Sequence, residues 1–266
     1  MKAIHGLWVL ALLAVSGTSA LAQAQRPDPN MGEQGTMEVD IRRWRSDLVS
    51  ELRFSVPGLL GSDFDPVSDL GLPAERAFDY HVAVRVIRRL RIRFNWFRLT
   101  YDADTVLGES LIIGGDFYES GSVVTSFLEL EQRRGGVEFD LVRGEYGWLA
   151  VVGEWARFEA NNAYHSPSPE RETTIRPLRM SLPLFGIKTR IYLTPALAVS
   201  EEGLGMKREA IGVMTDFDAS VTYNAIPNLA FSYGYRNSYN RFKEHEPASR
   251  SIYRLRGQYF GITVRF

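Results

Sequence analysis

Residues 78–96 alternate between two chemistries, and no other feature limits the fold as strongly. Phe78, Tyr80, Val82, Val84 and Val86 share one side, while Asp79, His81, Ala83 and Arg85 share the other. Arg88 and Arg89 make a short turn. Then Leu90, Ile92, Phe94 and Trp96 alternate with Arg91, Arg93 and Asn95. A period of two belongs to strands whose two faces meet different surroundings. A soluble sandwich meets that condition with water on its polar face. A membrane barrel meets it with lipid outside and a polar interior. The remainder of the chain has to choose between them.

The N-terminus favours export. Lys2 is a small basic start, residues 7–15 are apolar, and Ala20-Leu21-Ala22 is a small-x-small cleavage site, with Ala22-Gln23-Ala24 as a second candidate. Together they predict a signal peptide over residues 1–22. Residues 23–36 are expected to be a disordered leader. No later run of about 20 apolar residues could form a membrane helix, so a membrane-embedded chain of this kind must close its strands into a barrel. The 31 Lys+Arg against 32 Asp+Glu give no basic excess for nucleic acid. With no cysteine there are no disulfides, thiolate metal sites or cysteine nucleophiles.

In chain order, residues 37–54 read as one long strand bulged at Trp44-Arg45-Ser46. Residues 57–76, broken by Gly58, Gly61, Pro66, Gly71 and Pro73, read as a loop. Further strands follow, with phase slips expected at Trp96-Phe97, Gly135-Gly136 and Phe185-Gly186. Residues 104–121 suggest an excursion with a hairpin tip at Gly114-Gly115-Asp116. Residues 161–172 and 237–248 read as polar loops, and 204–207 as a short one. Short and long connections therefore alternate, which a sandwich gives no reason to expect. The fold expected over residues 37–266 is all-β: a single antiparallel up-and-down transmembrane β-barrel of about ten strands, with eight or twelve as alternative counts.

The final nine residues add an independent signal. Phe260, Ile262, Val264 and Phe266 alternate with Tyr259, Gly261, Thr263 and Arg265, and the chain stops on an aromatic residue. Tyr259, Gly261, Val264 and Phe266 resemble the C-terminal assembly signal of bacterial outer-membrane β-barrels, with Tyr259 a loose match for its polar position. At the level of architecture the span is similar to the small outer-membrane barrel families of OmpA and OmpW type. That resemblance implies location in the bacterial outer membrane, contact with its lipid, and insertion by the barrel assembly machinery through this last strand. The last strand is expected to close against the first, around residues 48–54.

Alternation predicts an inner face carrying Arg53, Arg85, Arg91, Arg93, Arg98, Lys188, Arg190 and Arg236 against Glu51, Asp79, Glu129, Glu131, Glu138, Asp140, Asp216 and Asp218. In so narrow a lumen these charges should pair and partly fill the space. A structural network, or a conduit or binding site for a small polar or anionic solute, are both compatible with them. Arg85, Arg91, Arg93, Lys188, Arg190, Asp79, Glu129 and Glu138 are the candidate lining. No catalytic set is assigned, although an outer-membrane hydrolase acting on lipid or peptide stays open through His81 and Asp79. His165 and His245 read as loop residues. Asp63, Asp65 and Asp69 lack the glycine and terminal glutamate of a calcium loop, so no metal or cofactor is expected. Leu59, Leu60, Phe64, Leu70 and Leu72 suggest that the first loop folds over the barrel mouth, or serves a surface partner.

Overall fold

The computed structural model describes residues 35–168, 170–243 and 248–266. The expected signal peptide, nearly all of the expected leader and His245 lie outside them. Among the described residues twelve strands form: β1 (Met37–Arg53), β2 (Glu75–Ile87), β3 (Leu90–Val106), β4 (Leu111–Ile113), β5 (Asp116–Tyr118), β6 (Val123–Gly144), β7 (Gly147–Pro167), β8 (Glu170–Tyr192), β9 (Leu197–Arg208), β10 (Gly212–Ile226), β11 (Leu229–Phe242) and β12 (Arg250–Arg265). Ten of them close an antiparallel barrel in the order β1-β12-β11-β10-β9-β8-β7-β6-β3-β2, and β4 pairs only with β5. Closure gives every strand two neighbours around the half that holds the chain ends, while residues 47–53 of β1, 98–106 of β3 and 170–184 of β8 pair on one side only. β12 does meet β1, with Val264 opposite Val39 and Ile262 opposite Ile41. The last residues thus pair near the start of β1, while residues 48–53 face the beginning of β12, lower than expected in sequence but on the expected strand.

The expected phase slips do not exist. β1, β3, β6 and β8 each keep one alternation through Trp44, Trp96-Phe97, Gly135-Gly136 and Phe185-Gly186. What changes at those levels is the surroundings. On β3, Ile92, Phe94 and Trp96 point outward, and so do Arg98, Thr100 and Asp102 further along. Arg91, Arg93 and Asn95 point inward, followed by Phe97, Leu99 and Tyr101. Apolar residues therefore face out in one half of the barrel and in for the other half. A strand that passes from lipid into water needs this inversion, because the wet side changes while the backbone does not. The same exchange occurs at Trp155/Arg157 on β7, Tyr235/Asn237 on β11 and Phe260/Gln258 on β12.

The inversion corrects five positions. Arg53, Glu51, Arg98, Glu129 and Glu131 lie on the outer face, where Arg98 pairs with Glu129 and Arg53 with Asp63. The apolar outer belt is about 7 residues deep on β12 (Phe260 to Phe266) and about 11 on β8 (Pro183 to Leu193), near the span of a tilted strand. Glu201, outward on β9 between Thr189 and Ala219, is an acidic exception in it.

Several connections are shorter than the sequence suggests. β7 runs to Pro167 and β8 resumes at Glu170, so the expected loop at 161–172 is mostly ladder. Residues 204–207 belong to β9, and Asn237–Phe242 to β11. His165 accordingly sits on the outer face of a strand, opposite Thr125 and Glu172. The first two connections are the long ones, and they close the mouth together. Phe64, Leu70 and Leu72 are buried, and Leu59 and Leu60 stay exposed at the tip. Phe64 packs edge-on against Phe54 and Tyr164, with centroids 6.0 and 5.9 Å apart. Gly114 N–H donates to the Phe54 carbonyl (3.0 Å) and Ser62 N–H to that of Ile112 (2.8 Å), which ties the first loop to the β4–β5 hairpin. Tyr118 of that hairpin donates to Thr173 (2.7 Å), and burial raises its phenol above the ordinary range. The acidic stretch of the first loop caps its own backbone: Val67 N–H donates to Asp65 and Asp65 N–H to Asp69.

Candidate functional site: the charged half of the lumen

Where the outer face of the wall is apolar, inward positions carry ions. They pair across the barrel because a charge taken out of water needs a partner. Arg236 on β11 is the largest junction. Its guanidinium lies 2.8 Å from Asp216 on β10 and 2.7 Å from Asp79 on β2, and it donates to Gln132 on β6 at 2.9 Å. Asp79 is shared, with His81 Nε2 2.8 Å away. The guanidinium also lies against the rings of Trp44 (5.1 Å) and Phe97 (5.0 Å), so it marks the boundary between charged and apolar halves.

A second junction centres on Arg93, which contacts Glu138 at 3.1 Å, Glu154 at 2.7 Å and, across the lumen, Glu202 at 2.8 Å. Arg91 holds Glu138 from its other side at 2.8 Å. Arg134 lies 3.5 Å from both Glu154 and Asp216, linking the two junctions. A third group lies under the closing strands. Arg42 bridges Asp40 (2.6 Å) and Asp218 (2.7 Å), and Arg265 holds Glu38 at 2.8 Å.

Of the candidate lining residues, Arg85, Arg91, Arg93, Lys188, Arg190, Asp79 and Glu138 face this interior. Glu129 does not; it lies on the outer wall beside Arg98 and Asn161. The assembly-signal residues divide by face. Val264 and Phe266 point outward and Tyr259 and Gly261 inward. Tyr259 donates to Asp218 (2.8 Å) beneath the Arg42 guanidinium, and its ring lies over Gly234, where a Cβ would collide with it. Gly261 likewise leaves room for Ser232.

Sequence reasoning missed Asp40, Arg42, Arg134, Glu154 and Glu202 as network members. The signal for Arg134 was present: stepping back by twos from Asp140 and Glu138 through Gly136 reaches it, once no slip is inserted at the glycines.

Above Arg236 the lumen carries no ionic junction and is mostly apolar, with a few buried hydroxyl and amide groups such as Ser50, Asn162 and Asn240 among the apolar side chains. Leu48, Leu99, Leu130, Phe158, Leu182 and Leu255 fill it and are at most 4% exposed, and the two mouth loops cover them. Below Arg236 a polar cavity of about 60 Å³ remains, bordered by Lys188, Arg190, Ser200, Ser220, Thr222 and the third ionic group. A smaller one of about 40 Å³ follows toward Thr36, Arg85 and Arg265, at the end where the barrel's first and last strands begin and stop.

No family model matches the chain. No curated protein matches it in sequence. Solved structures do match in fold. The outer membrane protease OmpT of Escherichia coli superposes with a TM-score of 0.52 at 8% identity, over 92% of this chain and 99% of that one. Ail, the attachment invasion locus protein of Yersinia pestis, matches at a TM-score of 0.37 and 9% identity over 88% and 100% of the two chains. The toluene transporter TodX of Pseudomonas putida matches at 0.35 and 6%, over 94% of each chain. At such identities the likeness is one of fold: a closed ten-stranded antiparallel barrel whose structural neighbours are bacterial outer-membrane barrels.

Proposed function

We propose that this chain is a non-enzymatic outer-membrane barrel whose lumen holds its contents and conducts nothing. The observation that carries this reading is the stacking inside the wall: an ionic layer joined across the lumen by Arg236 and Arg93, with a packed apolar layer and a double-loop lid above it. A continuous water path would have to cross side chains packed like a soluble core. In planar bilayers the folded chain is expected to raise no ion current. Regular conductance steps would overturn the sealed lumen.

In this reading the apolar outer belt sits in the outer membrane, the termini and charged half face the periplasm, and the lidded half stands outside. The signal peptide at 1–22 delivers the chain, and the C-terminal strand presents it to the assembly machinery, in keeping with the small OmpA and OmpW type families it resembles. The outward side chain of Phe266 is 67% exposed, so deleting Phe266 removes little packing. That deletion is expected to lower the amount of barrel inserted in cells while leaving refolding from urea into lipid vesicles nearly unchanged. Equal insertion with and without Phe266 would remove the assembly role.

A further inference from the structure

Arg190 differs from the other cations of the lumen. It points inward from β8, between Trp148 of β7 and Ser200 of β9, and is only 9% exposed. The other deep guanidiniums of the junctions sit within 4 Å of a carboxylate; Arg190 has no such partner among the described residues, and its Nε makes no hydrogen bond. The Tyr192 ring lies 5.7 Å away, and Glu38, which Arg265 holds directly, feels the Arg190 charge from further off. Yet it borders both cavities of the lower lumen.

Its neighbours there are suited to a negative guest. Lys188 also borders both cavities and is held loosely, 3.5 Å from Glu138 and 3.6 Å from Glu202, carboxylates that Arg91 and Arg93 hold more closely. Ser200, Ser220 and Thr222 bring neutral hydroxyl donors, and Ser232 Oγ is buried with no partner. The inward acidic groups at the rim, Glu38, Asp40, Asp218 and Glu202, are already engaged by Arg265, Arg42 and Arg93. What remains is a guanidinium with no carboxylate within 4 Å among the described residues, beside a loosely held ammonium, facing a cavity with space for about four waters. Guanidinium groups prefer planar or tetrahedral oxyanions, which accept two parallel N–H bonds.

We propose that this cavity binds a small oxyanion of the phosphate, sulfate or carboxylate class, with Arg190 as its main contact and Lys188 as a second. The side of entry, the end with the chain termini, rests on the sealed-lumen reading; the binding does not. A barrel that conducts and still binds phosphate would end that reading and leave this one standing.

The test uses the folded barrel in lipid vesicles, titrated calorimetrically with inorganic phosphate and, separately, sulfate against a chloride background. Saturable binding is expected for at least one, weakened about tenfold or more in Arg190→Gln and less in Arg190→Lys. Arg98→Gln on the outer wall should bind as the parent does. A second readout covers stability. In anion-free buffer Arg190→Gln should resist urea at least as well as the parent, since it removes an unpaired buried charge. Adding phosphate should raise the parent's urea midpoint and leave the variant's unchanged. Absence of saturable binding, equal binding by Arg190→Gln, or a destabilised Arg190→Gln without anion would each overturn the proposal.

Discussion

Replacing Arg236 with methionine is expected to cost the barrel about 3–5 kcal/mol, the usual loss when one member of a buried ionic group is removed. The side chain is 1% exposed, and without it Asp79 loses its guanidinium and keeps only His81. Asp216 keeps only the 3.5 Å contact with Arg134. Gln132 loses its donor as well. Methionine retains much of the volume against Trp44 and Phe97, so the change isolates the charge. Urea midpoints of the folded barrel in vesicles measure it. Adding Asp79→Asn and Asp216→Asn to Arg236→Met should recover a large part of the loss, because no unpaired ion remains. A single variant within about 1 kcal/mol of the parent would mean that water compensates these carboxylates, and the layer would then not be a dry junction.

Gly257→Val is expected to be at least as damaging, by a different route. Gly257 points inward on β12 at the seam with β1, where a Cβ would run into the Arg45 backbone carbonyl. The Trp44 indole donates to the Gly257 carbonyl at 3.3 Å, so the close approach also seats the ring above Arg236. A branched side chain forces apart the two strands whose pairing closes the cylinder. Overpacking a core costs about 1–3 kcal/mol, and here the obstacle is backbone, so a loss of at least about 3 kcal/mol is expected. Gly203→Val is the matched control. Its position is outward on β9 with nothing within 4 Å of an added Cβ, and the variant should fold like the parent. The fraction of compact, heat-modifiable barrel on cold gels reports both. Comparable yields from the two variants would refute the close seam.

The alternation around Phe78–Trp96 was sufficient to place Asp79, Arg91 and Arg93 in the lumen, because there the apolar side faces outward throughout. Ten strands also followed from the pattern, since the bulged readings of 122–143 and 173–193 kept each as one strand. The errors share one physical cause. Beyond the belt the apolar side of each strand faces the lumen, and a hydrophobic pattern records which side is drier, with no direct record of backbone phase. Read as phase, Leu128 and Leu130 were placed outside and Glu129 and Glu131 inside, the reverse of their positions. The cross-lumen contacts were not legible at all. Arg93 and Glu202 are 109 residues apart, and only closure brings them to 2.8 Å.

The inversion on β3 has a consequence for how the molecule meets its surroundings. From Trp96 to Val106 the wall continues for roughly 25 Å beyond the belt, taking about 3.3 Å per residue and a usual barrel tilt. On the proposed orientation a rigid palisade of strands rises above the lipid, and Arg98, Glu129, Arg157 and Arg179 decorate its flank. Glu129 and Arg157 are held by ladders on both sides and Arg98 and Arg179 on one, so each can exchange one charge for another but cannot take up an inserted residue without shifting a ladder. Whatever approaches from the side therefore meets a surface that can change in sign and keeps its shape.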